Sequence, residues 1–330
     1  MKRRILVTGG TGFLGAALVR SLVSKGHFVR VLDNGFRSSI SSLQDILDQI
    51  EMVQGDIRDI NVVINSIEKM DTVIHLSAIN GTEFFYSQPS LVLDVGVRGI
   101  LNVIDGCHQC GVKNLLVASS SEVYQMPSKI PTDETEKLVI PDVLNPRYSY
   151  GGSKIITELL LLHQCRTSLD RAIIFRPHNV YGPSMGQEHV LPQFIMRALE
   201  CIGRYETDPV PFPIQGNGTE TRSFIHIDDM VEGIILLLER GEHLNIYHIG
   251  TTEEISIAKV AEKIFKYFKR KCIIQPNALQ PGSTKRRCPN IDKIKQLGFF
   301  PKISLDEGLP SMIEWYLHQK SYIGVPNESS

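Results

Sequence analysis

A tyrosine and a lysine one helical turn apart carry the clearest proton-transfer chemistry in this sequence. Tyr150 and Lys154 are four residues apart, so on a helix their side chains lie on the same face. A phenol ordinarily titrates near ~10, and a neighbouring ammonium favours the phenolate and lowers that pKa. We therefore expect Lys154 to lower the pKa of Tyr150, and Tyr150 to act as a general base toward a sugar or alcohol hydroxyl.

Such a pair also arises by chance, so its meaning depends on the elements that position it. A short buried strand is predicted at 4–8, and it leads into glycines at positions 9, 12 and 15 and then a helix. The first glycine allows a tight turn, the second lets backbone approach a phosphate, and the third lets helix and strand pack closely. The N–H groups and the dipole of the helix N-terminus would bind a pyrophosphate.

The residue that ends the second predicted strand indicates which dinucleotide binds. This strand covers 28–33, and Asp33 follows the glycine turn by about twenty residues. Its carboxylate would accept hydrogen bonds from an adenosine ribose and would repel a 2′-phosphate. The sequence therefore predicts that NAD, rather than NADP, is the cofactor.

Short apolar strands continue to alternate with helices. Further strands are predicted at 51–54, 72–76, 115–119 and 172–176, with a long helix at about 86–111. This alternation predicts an α/β fold with a parallel, doubly wound sheet. In such sheets ligands gather at the carboxyl ends of the strands, where Asp56, Ser77, Ser119 and Pro177 are found here.

Three hydroxyls and a carboxylate follow the fifth predicted strand. Ser119, Ser120 and Ser121 come directly before Glu122. A serine at this edge can hydrogen-bond a reacting hydroxyl, and the glutamate can move a second proton. The alternative is a serine-rich turn that caps the next segment, and the presence of Tyr150 downstream favours the chemical interpretation.

The composition is that of an ordinary soluble globular protein. Of the 330 residues, 42% are hydrophobic and 22% are charged. A formal net charge of −1 gives no electrostatic case for nucleic acid or an anionic membrane as a partner. Glycines interrupt the apolar run near the N-terminus, which argues against a signal peptide, and no apolar run reaches the ~20 residues of a membrane span. We expect a cytoplasmic protein.

The cysteines and histidines do not follow a disulfide or metal-binding pattern. Cys107 and Cys110 form a C-x-x-C, which could be a redox pair or half of a zinc site, but no second close pair accompanies it. The histidines occur singly and lack the spacing of a metal site. We expect reduced thiols and no bound metal.

Seven motifs in register give the chain a family likeness. They are TGGTGFLG at 8–15, DN at 33–34, GDI at 55–57, HLSA at 75–78, SSSEVY at 119–124, YxxxK at 150–154 and RPHNVYGP at 176–183. Together they resemble the extended short-chain dehydrogenase/reductase family, and more narrowly its NAD-dependent nucleotide-sugar epimerases, dehydratases and decarboxylases. The likeness covers about residues 4 to 318.

The resemblance implies a Rossmann-type domain and a smaller α/β C-terminal domain, with a nucleotide sugar bound between them. The corresponding division is 1–183 for NAD, with the chain crossing back near 223–250, then 184–320 for the substrate and a flexible tail at 321–330. Tightly held NAD would oxidise the sugar at carbon 4. Relatives also pair the helices around 91–105 and 155–163, which implies a homodimer.

The resemblance also assigns roles to single residues. Tyr150 would be the base, Lys154 would bind the nicotinamide ribose and Ser120 would bond the carbon-4 oxygen. Two side chains, Asn179 and Arg222, match positions that bind the nucleotide diphosphate. The predicted catalytic set is Tyr150, Lys154, Ser120, Ser121 and Glu122, and the predicted substrate set is Asn179, Arg222 and Arg287, the last for the diphosphate or the sugar. The predicted cofactor set is Gly9, Thr11, Gly12, Phe13, Leu14, Gly15, Asp33, Asn34, Asp56, Ile57, Leu76, Ser77, Ala78, Ser119, Tyr150, Lys154 and Pro177.

The pair Ser121-Glu122 narrows the reaction. Simple 4-epimerases usually carry a small or apolar residue in place of Glu122, and glucose-type 4,6-dehydratases usually carry Asp-Glu. The Ser-Glu pair resembles UDP-glucuronate decarboxylases and GDP-mannose 4,6-dehydratases, and RRCPN at 286–290 is also similar to decarboxylases. We therefore predict a 4,6-dehydratase or a uronate decarboxylase. The alternatives are a 4-epimerase, a ketoreductase that releases NAD(P)H and a cofactor-binding sensor.

Two departures from the family pattern remain open. Gln125 stands where a glycine commonly follows Val-Tyr, and the loop at 185–192 has its own form, with His189.

Overall fold

A computed structural model describes residues 2–278 and 284–323, with side chains through residue 319. Its strands, in chain order, are β1 (Arg4–Thr8), β2 (Phe28–Asp33), β3 (Ile50–Gln54), β4 (Thr72–His75), β5 (Asn114–Ala118), β6 (Arg171–Pro177), β7 (Val180–Tyr181), β8 (Val210–Gln215), β9 (Thr221–Ser223), β10 (Ile225–His226), β11 (Asn245–Ile249), β12 (Glu254–Ser256), β13 (Cys272–Asn277) and β14 (Arg286–Arg287). Its α-helices are α1 (Phe13–Ser24), α2 (Ile60–Ile67), α3 (Thr82–Ser87), α4 (Pro89–Cys110), α5 (Ser149–Gln164), α6 (Val190–Arg204), α7 (Ile227–Arg240), α8 (Ile257–Tyr267), α9 (Asp292–Gln296) and α10 (Leu305–Ile323).

Seven strands form a parallel central sheet in the order β11-β6-β5-β4-β1-β2-β3. Helices cover both faces, so inner strands such as β4 and β5 are buried along most of their length, whereas the edge strand β3 is only partly buried. In β1, Ile5 and Val7 pack in the core on one face, with residues of α1 and α7. Leu6 points the other way, into the core shared with α2, α4 and α5. The predicted doubly wound α/β sheet is confirmed.

A third hydrophobic core lies outside this sheet. It joins α6, α8 and α10 to the strand pair β8–β13, and it includes Phe194, Phe212, Phe265 and Ile313. The strands β9, β12 and β14 form a separate small sheet beside it.

Strand β8 was not predicted because Pro211 and Pro213 interrupt its sequence. An edge strand can contain proline, because one side of its backbone makes no hydrogen bonds to a neighbour. Strand β8 is such a strand, since it pairs on one side only, with β13. The two prolines alternate with Val210, Phe212 and Ile214, whose side chains are buried in the third core.

Several predicted boundaries shift in the structure. The long helix expected at 86–111 divides into α3 and α4, because Pro89 begins a new helix. Strand β10 is only two residues long, since Ile227 already starts α7. Helix α10 continues through Ile323, inside the tail predicted at 321–330, and residues 324–330 lie outside the described part. Within the described residues, no helix combines the length and apolarity that a membrane crossing requires.

Candidate active site

One cavity of about 1120 Å³ runs along the carboxyl ends of the central strands and reaches β9 and β14. Every residue predicted for cofactor, catalysis or substrate lines it. They are Gly9, Thr11, Gly12, Phe13, Leu14, Gly15, Asp33, Asn34, Asp56, Ile57, Leu76, Ser77, Ala78, Ser119, Ser120, Ser121, Glu122, Tyr150, Lys154, Pro177, Asn179, Arg222 and Arg287.

The glycine turn is built for close backbone approach. Gly9 has φ +71°, a left-handed conformation that favours glycine. A Cβ at Gly15 would lie 2.1 Å from the carbonyl oxygen of Gly9, so only glycine lets α1 pack this near the turn. Gly12 is the N-cap of α1 and provides no side-chain cap, which leaves N–H groups of the first turn directed at the cavity. This cradle fits a pyrophosphate.

The carboxylate of Asp33 is fixed beside that cradle. One oxygen accepts from the backbone N–H of Thr11 at 3.1 Å, and the other accepts from the N–H of Gly35 at 2.9 Å. Next to it, hydrogen bonds from Arg58 lower the pKa of Asp56 to about 2, so this carboxylate is charged at neutral pH. The residues present therefore fit the adenosine half of NAD.

Tyr150 and Lys154 lie on the inner face of α5. The Tyr150 ring stacks on Phe85, with ring centroids 5.1 Å apart, and its hydroxyl hydrogen-bonds to Ser120. The ammonium of Lys154 lies 5.7 Å from the centroid of the Tyr150 ring and donates a 2.8 Å bond to the carbonyl of Ala118.

The expected lowering of the Tyr150 pKa is wrong for this structure. Burial raises the pKa of Tyr150, and the negative charge of Glu122 adds to the rise, whereas the bond to Ser120 opposes it. Burial also lowers the pKa of Lys154, to about 8. Spacing alone showed that the two side chains are neighbours, but it did not show that both are enclosed.

The serines after β5 have different partners. Ser120 accepts from the backbone N–H of Glu122 at 3.1 Å and so caps the short 3₁₀ turn at Ser121–Val123, while it also bonds Tyr150. The capping interpretation of this serine-rich turn is therefore confirmed for Ser120, and the chemical interpretation stays a prediction. Ser119 donates a 2.5 Å bond to Glu158, and Ser121 is buried.

Glu122 forms an ion pair across the cavity. Its Oε1 accepts from Nη1 of Arg287 at 2.6 Å. Burial alone would raise the pKa of Glu122, but Arg287, Arg147 and Arg222 together hold that pKa below its ordinary value. Glu122 is therefore a carboxylate that Arg287 contacts and whose charged form Arg147 and Arg222 also stabilise.

Two of these arginines are neighbours in one small sheet. Arg222 in β9 is the register partner of Arg287 in β14. Arg222 donates to the carbonyls of Thr221 and Thr284, both at 2.7 Å, and no carboxylate among the described residues pairs with it. Burial and the charge of Arg287 lower the pKa of Arg222 to about 10.

The structure explains the unusual Gln125. This residue adopts φ +53°, which is the conformation that a glycine would take easily. Its amide Nε2 donates a 2.5 Å bond to the carbonyl of Glu122 and thereby braces the turn that carries that residue. The turn packs against Gly151, where a Cβ would lie 2.8 Å from the Gln125 amide and 3.0 Å from the Glu122 carbonyl.

A contact that the sequence did not predict joins the two sides of the cavity. Arg37, after β2, pairs with Glu188, before α6, and we call this ion pair the clasp. Arg37 also donates to the carbonyl of Asn80, and its guanidinium lies 4.7 Å from the ring centroid of Phe84. Arg37 follows a strand end, so the rule that located Asp33 also applies to it, whereas no sequence signal pointed to Glu188.

The last of the sequence candidates are Asn179, the two cysteines of the C-x-x-C and the histidines. Asn179 donates a 3.0 Å bond to the carbonyl of Ser223. Cys107 and Cys110 are free thiols on α4. Among the residues described, no group of three or more His, Cys, Asp or Glu side chains is placed to hold a metal ion.

Comparison with known proteins identifies the family of this chain. Residues 5–250 match the NAD-dependent epimerase/dehydratase family. The chain is 31% identical to UDP-glucuronic acid decarboxylase 6 of Arabidopsis thaliana, over 98% of this chain and 91% of that protein. It is 28% identical to UDP-N-acetyl-alpha-D-glucosaminuronate decarboxylase of Bacillus cytotoxicus, over 96% and 98%.

Solved structures agree in fold. The dTDP-glucose 4,6-dehydratase DesIV of Streptomyces venezuelae, with NAD bound, has a TM-score of 0.85 at 26% identity, over 97% of this chain and 98% of that chain. UDP-glucose 4-epimerase of Thermotoga maritima, with UDP-glucose, has a TM-score of 0.85 at 25% identity, over 96% and 99%. The resemblance predicted from the motifs is confirmed: the chain belongs to the NAD-dependent epimerase/dehydratase family, within the extended short-chain dehydrogenases/reductases.

Proposed function

We propose that this protein is an NAD-dependent decarboxylase of a nucleotide-linked hexuronic acid. The observation that carries the proposal is the sugar end of the cavity, where the Glu122–Arg287 ion pair lies beside Arg222. Decarboxylase, dehydratase and epimerase relatives all support a nucleotide-sugar enzyme that works through transient oxidation at carbon 4.

The cofactor half of the cavity would hold NAD through the glycine cradle, Asp33 and Lys154. When bound, NAD supplies the hydride acceptor for carbon 4 and a positive charge near the phenol. Tyr150 takes the proton from the carbon-4 hydroxyl, and Ser120, which bonds Tyr150, orients that hydroxyl. Lys154 contributes a buried ammonium one turn away, which stabilises the developing phenolate.

Once carbon 4 is a ketone, a carboxylate at carbon 6 is positioned for loss. The bond between carbon 5 and carbon 6 breaks, carbon dioxide leaves, and the electron pair forms an enolate across carbons 4 and 5. A proton then adds to carbon 5, and the carbon-4 ketone would be reduced by return of the hydride from the bound cofactor, while Tyr150 gives its proton back to the carbon-4 oxygen. The enolate is the species that needs stabilisation, so this step requires neither a base at carbon 5 nor an acid at carbon 6.

A 4,6-dehydration requires both of those groups. A base must remove the carbon-5 proton, and an acid must protonate the departing carbon-6 hydroxyl. Arg287 keeps Glu122 charged and weakly basic, because it lowers the pKa of that carboxylate. The neighbouring Ser121 supplies no acid near neutral pH. These features favour decarboxylation, in which Glu122 orients the ring.

The charges at this end of the cavity suit an anionic substrate. Arg147, Arg222 and Arg287 act on Glu122, and Glu220 is a second carboxylate that acts on Arg222, so these five side chains together carry one net positive charge. We assign Arg222 and Asn179 to the diphosphate and Arg287 to the uronate carboxylate. An arginine binds a carboxylate through two parallel hydrogen bonds, which also fixes the orientation of the sugar.

The presence of Glu122 also favours a second candidate, a 4,6-dehydratase, because a carboxylate near carbon 5 is the base that this reaction needs. A panel of UDP-, GDP-, dTDP- and CDP-linked hexoses and hexuronates, analysed by mass and NMR, distinguishes the reactions. Loss of carbon dioxide from a hexuronate supports our proposal. Loss of water indicates a dehydratase, an unchanged mass with a new sugar indicates an epimerase, and accumulated NAD(P)H indicates a ketoreductase.

We propose that residues 1–183, together with 223–250, bind the cofactor and that 184–320 bind most of the nucleotide sugar. We also propose a homodimer that pairs α4 and α5 with the same helices of a second copy. Leu93 on α4 and Ile156 and Leu159 on α5 are apolar but exposed, with 39%, 39% and 53% of their surface accessible. A cytoplasmic location suits the six free cysteines, all within the described residues.

A further inference from the structure

A buried glutamate continues the row of side chains that begins with Tyr150 and Lys154. Glu158 lies one turn beyond Lys154 on α5, so the three side chains share a helix face. Only 2% of the Glu158 surface is exposed. A carboxylate is almost never buried this fully unless it is paired.

Two neighbouring strands supply its partners. From β6, Arg176 donates to both carboxylate oxygens, through Nε at 2.8 Å and Nη2 at 2.5 Å. Ser119, after β5, donates to Oε1 at 2.5 Å. Because Ser119 lines the cavity, the Glu158 carboxylate connects the wall of the site to an arginine that is itself buried.

The hydrogen bonds continue beyond Arg176. Its guanidinium bonds the hydroxyl of Tyr124, which lies 2.6 Å from Nε2 of His248. Nδ1 of that histidine lies 3.0 Å from the carbonyl of Asn290, three residues after Arg287. This series of hydrogen bonds therefore links α5 to the segment that carries Arg287.

The charge of Glu158 also acts on Lys154. Burial lowers the pKa of Lys154 to about 8, and Glu158 works in the opposite direction. The other titratable groups that face Lys154 supply no negative charge at neutral pH. Burial raises the pKa of Tyr150 and lowers that of His75, on β4, to about 3, so both are neutral.

We propose that Glu158 is a positioning residue for the reaction: held by Arg176 and Ser119 one helical turn from Lys154, its carboxylate keeps the Lys154 side chain in the ammonium form. This proposal rests on the proposed function, which gives Lys154 its role in the reaction. Glu158 itself neither contacts the substrate nor transfers a proton. It acts through Lys154 and Ser119.

The test measures the titration of Lys154 directly, in the full-length protein without added ligand. Lysines are labelled with carbon-13 at Cε, and the Lys154 resonance is identified by its absence from Lys154→Met. The test variant is Glu158→Gln combined with Arg176→Met, which removes both charges and leaves no unpaired buried cation. Glu158→Asp is the matched control, because it keeps the charge.

We expect a midpoint near pH 8 for Lys154 in the parent protein. The double variant should titrate on the order of one pH unit lower, since a carboxylate one turn away is lost. Glu158→Asp should stay within about half a unit of the parent. Glu158→Gln alone should shift in the same direction as the double variant, which covers the case in which the latter does not fold.

An unmoved or raised midpoint in the charge-removing variants overturns the inference. The pH dependence of turnover separates this failure from failure of the proposed function. If the Lys154 midpoint moves as expected but the alkaline limit of activity does not follow it, Glu158 tunes Lys154 and the catalytic role assigned to Lys154 is wrong.

Discussion

Glu122 and Arg287 lie 165 positions apart in the chain, yet their side chains form a 2.6 Å ion pair in the cavity. The pair joins the segment after β5 to the strand β14. Its existence has a direct consequence for the chemistry, because a glutamate that is held charged by an arginine is a poor base and a good orienting group.

Replacement of Glu122 by Gln should therefore lower decarboxylation by no more than about tenfold, because the ring is still oriented by a group of the same shape. A dehydratase would lose about 10²–10⁴-fold, since its general base would be gone. The measurement is kcat on the preferred substrate. Solvent deuterium should enter carbon 5 of the product in the parent enzyme, and its absence there would indicate an epimerase.

Replacement of Arg287 by Gln should cost about 10–100-fold in kcat/KM on a hexuronate, since a hydrogen bond to a charged group is worth about 1.5–3 kcal/mol. The adjacent Arg286 offers a matched control, because its exposed side chain pairs with Glu254 instead. Arg286→Gln should leave kcat/KM within about threefold of the parent. Equal losses in both variants would mean that Arg287 acts only through the stability of β14.

Replacement of Tyr150 by Phe should lower turnover by about 10²–10⁴-fold, because the phenol transfers the carbon-4 proton. The affinity for the nucleotide sugar should stay within a few-fold, since the ring and its stacking on Phe85 are preserved. Isothermal calorimetry and single-turnover assays check the two halves separately. Normal turnover in this variant would remove the base from the mechanism.

Removal of the clasp should speed the dissociation of the cofactor. A partly exposed ion pair is worth up to about 1 kcal/mol, so Arg37→Ala or Glu188→Gln should speed the release of NAD about two- to fivefold. The exchanged pair, Arg37→Glu with Glu188→Arg, should recover most of the parent rate. Stopped-flow displacement measures the rates, with bound NADH as the fluorescent substitute for NAD, and identical release from all variants would show that the clasp does not retain the cofactor.

The cofactor preference rests on Asp33, whose carboxylate is fixed at the ribose end of the cradle by Thr11 and Gly35. The apo-protein should bind NAD more tightly than NADP, and Asp33→Ser should reduce the difference between the two affinities. Tighter binding of NADP by the parent protein would contradict this assignment.

Local sequence was sufficient to predict the site residues wherever their position follows from backbone geometry. The glycine turn and the rule that ligands gather at strand carboxyl ends led from Gly9 and Asp33 to Ser119 and Pro177, and all of them line one cavity. The C-terminal strands were harder to predict from the sequence. The prolines of β8 are typical of a loop, and only its pairing with β13 identifies it as a strand.

The remaining differences depend on contacts between distant segments. The clasp joins residues that are 151 positions apart, and the bond from Ser119 to Glu158 crosses between a strand end and a helix. The direction of the Tyr150 pKa was missed because spacing reports which side chains are neighbours, whereas the depth of burial decides which effect is larger.

The most direct test of the central proposal uses nucleotide hexuronates labelled with carbon-13 at carbon 6. Incubated with the purified protein and NAD, one of them should release labelled carbon dioxide and leave an unlabelled nucleotide pentose, with no net accumulation of NADH. If the label instead stays in a nucleotide sugar of unchanged mass, or if only a neutral hexose reacts and loses water, this protein is not a uronate decarboxylase.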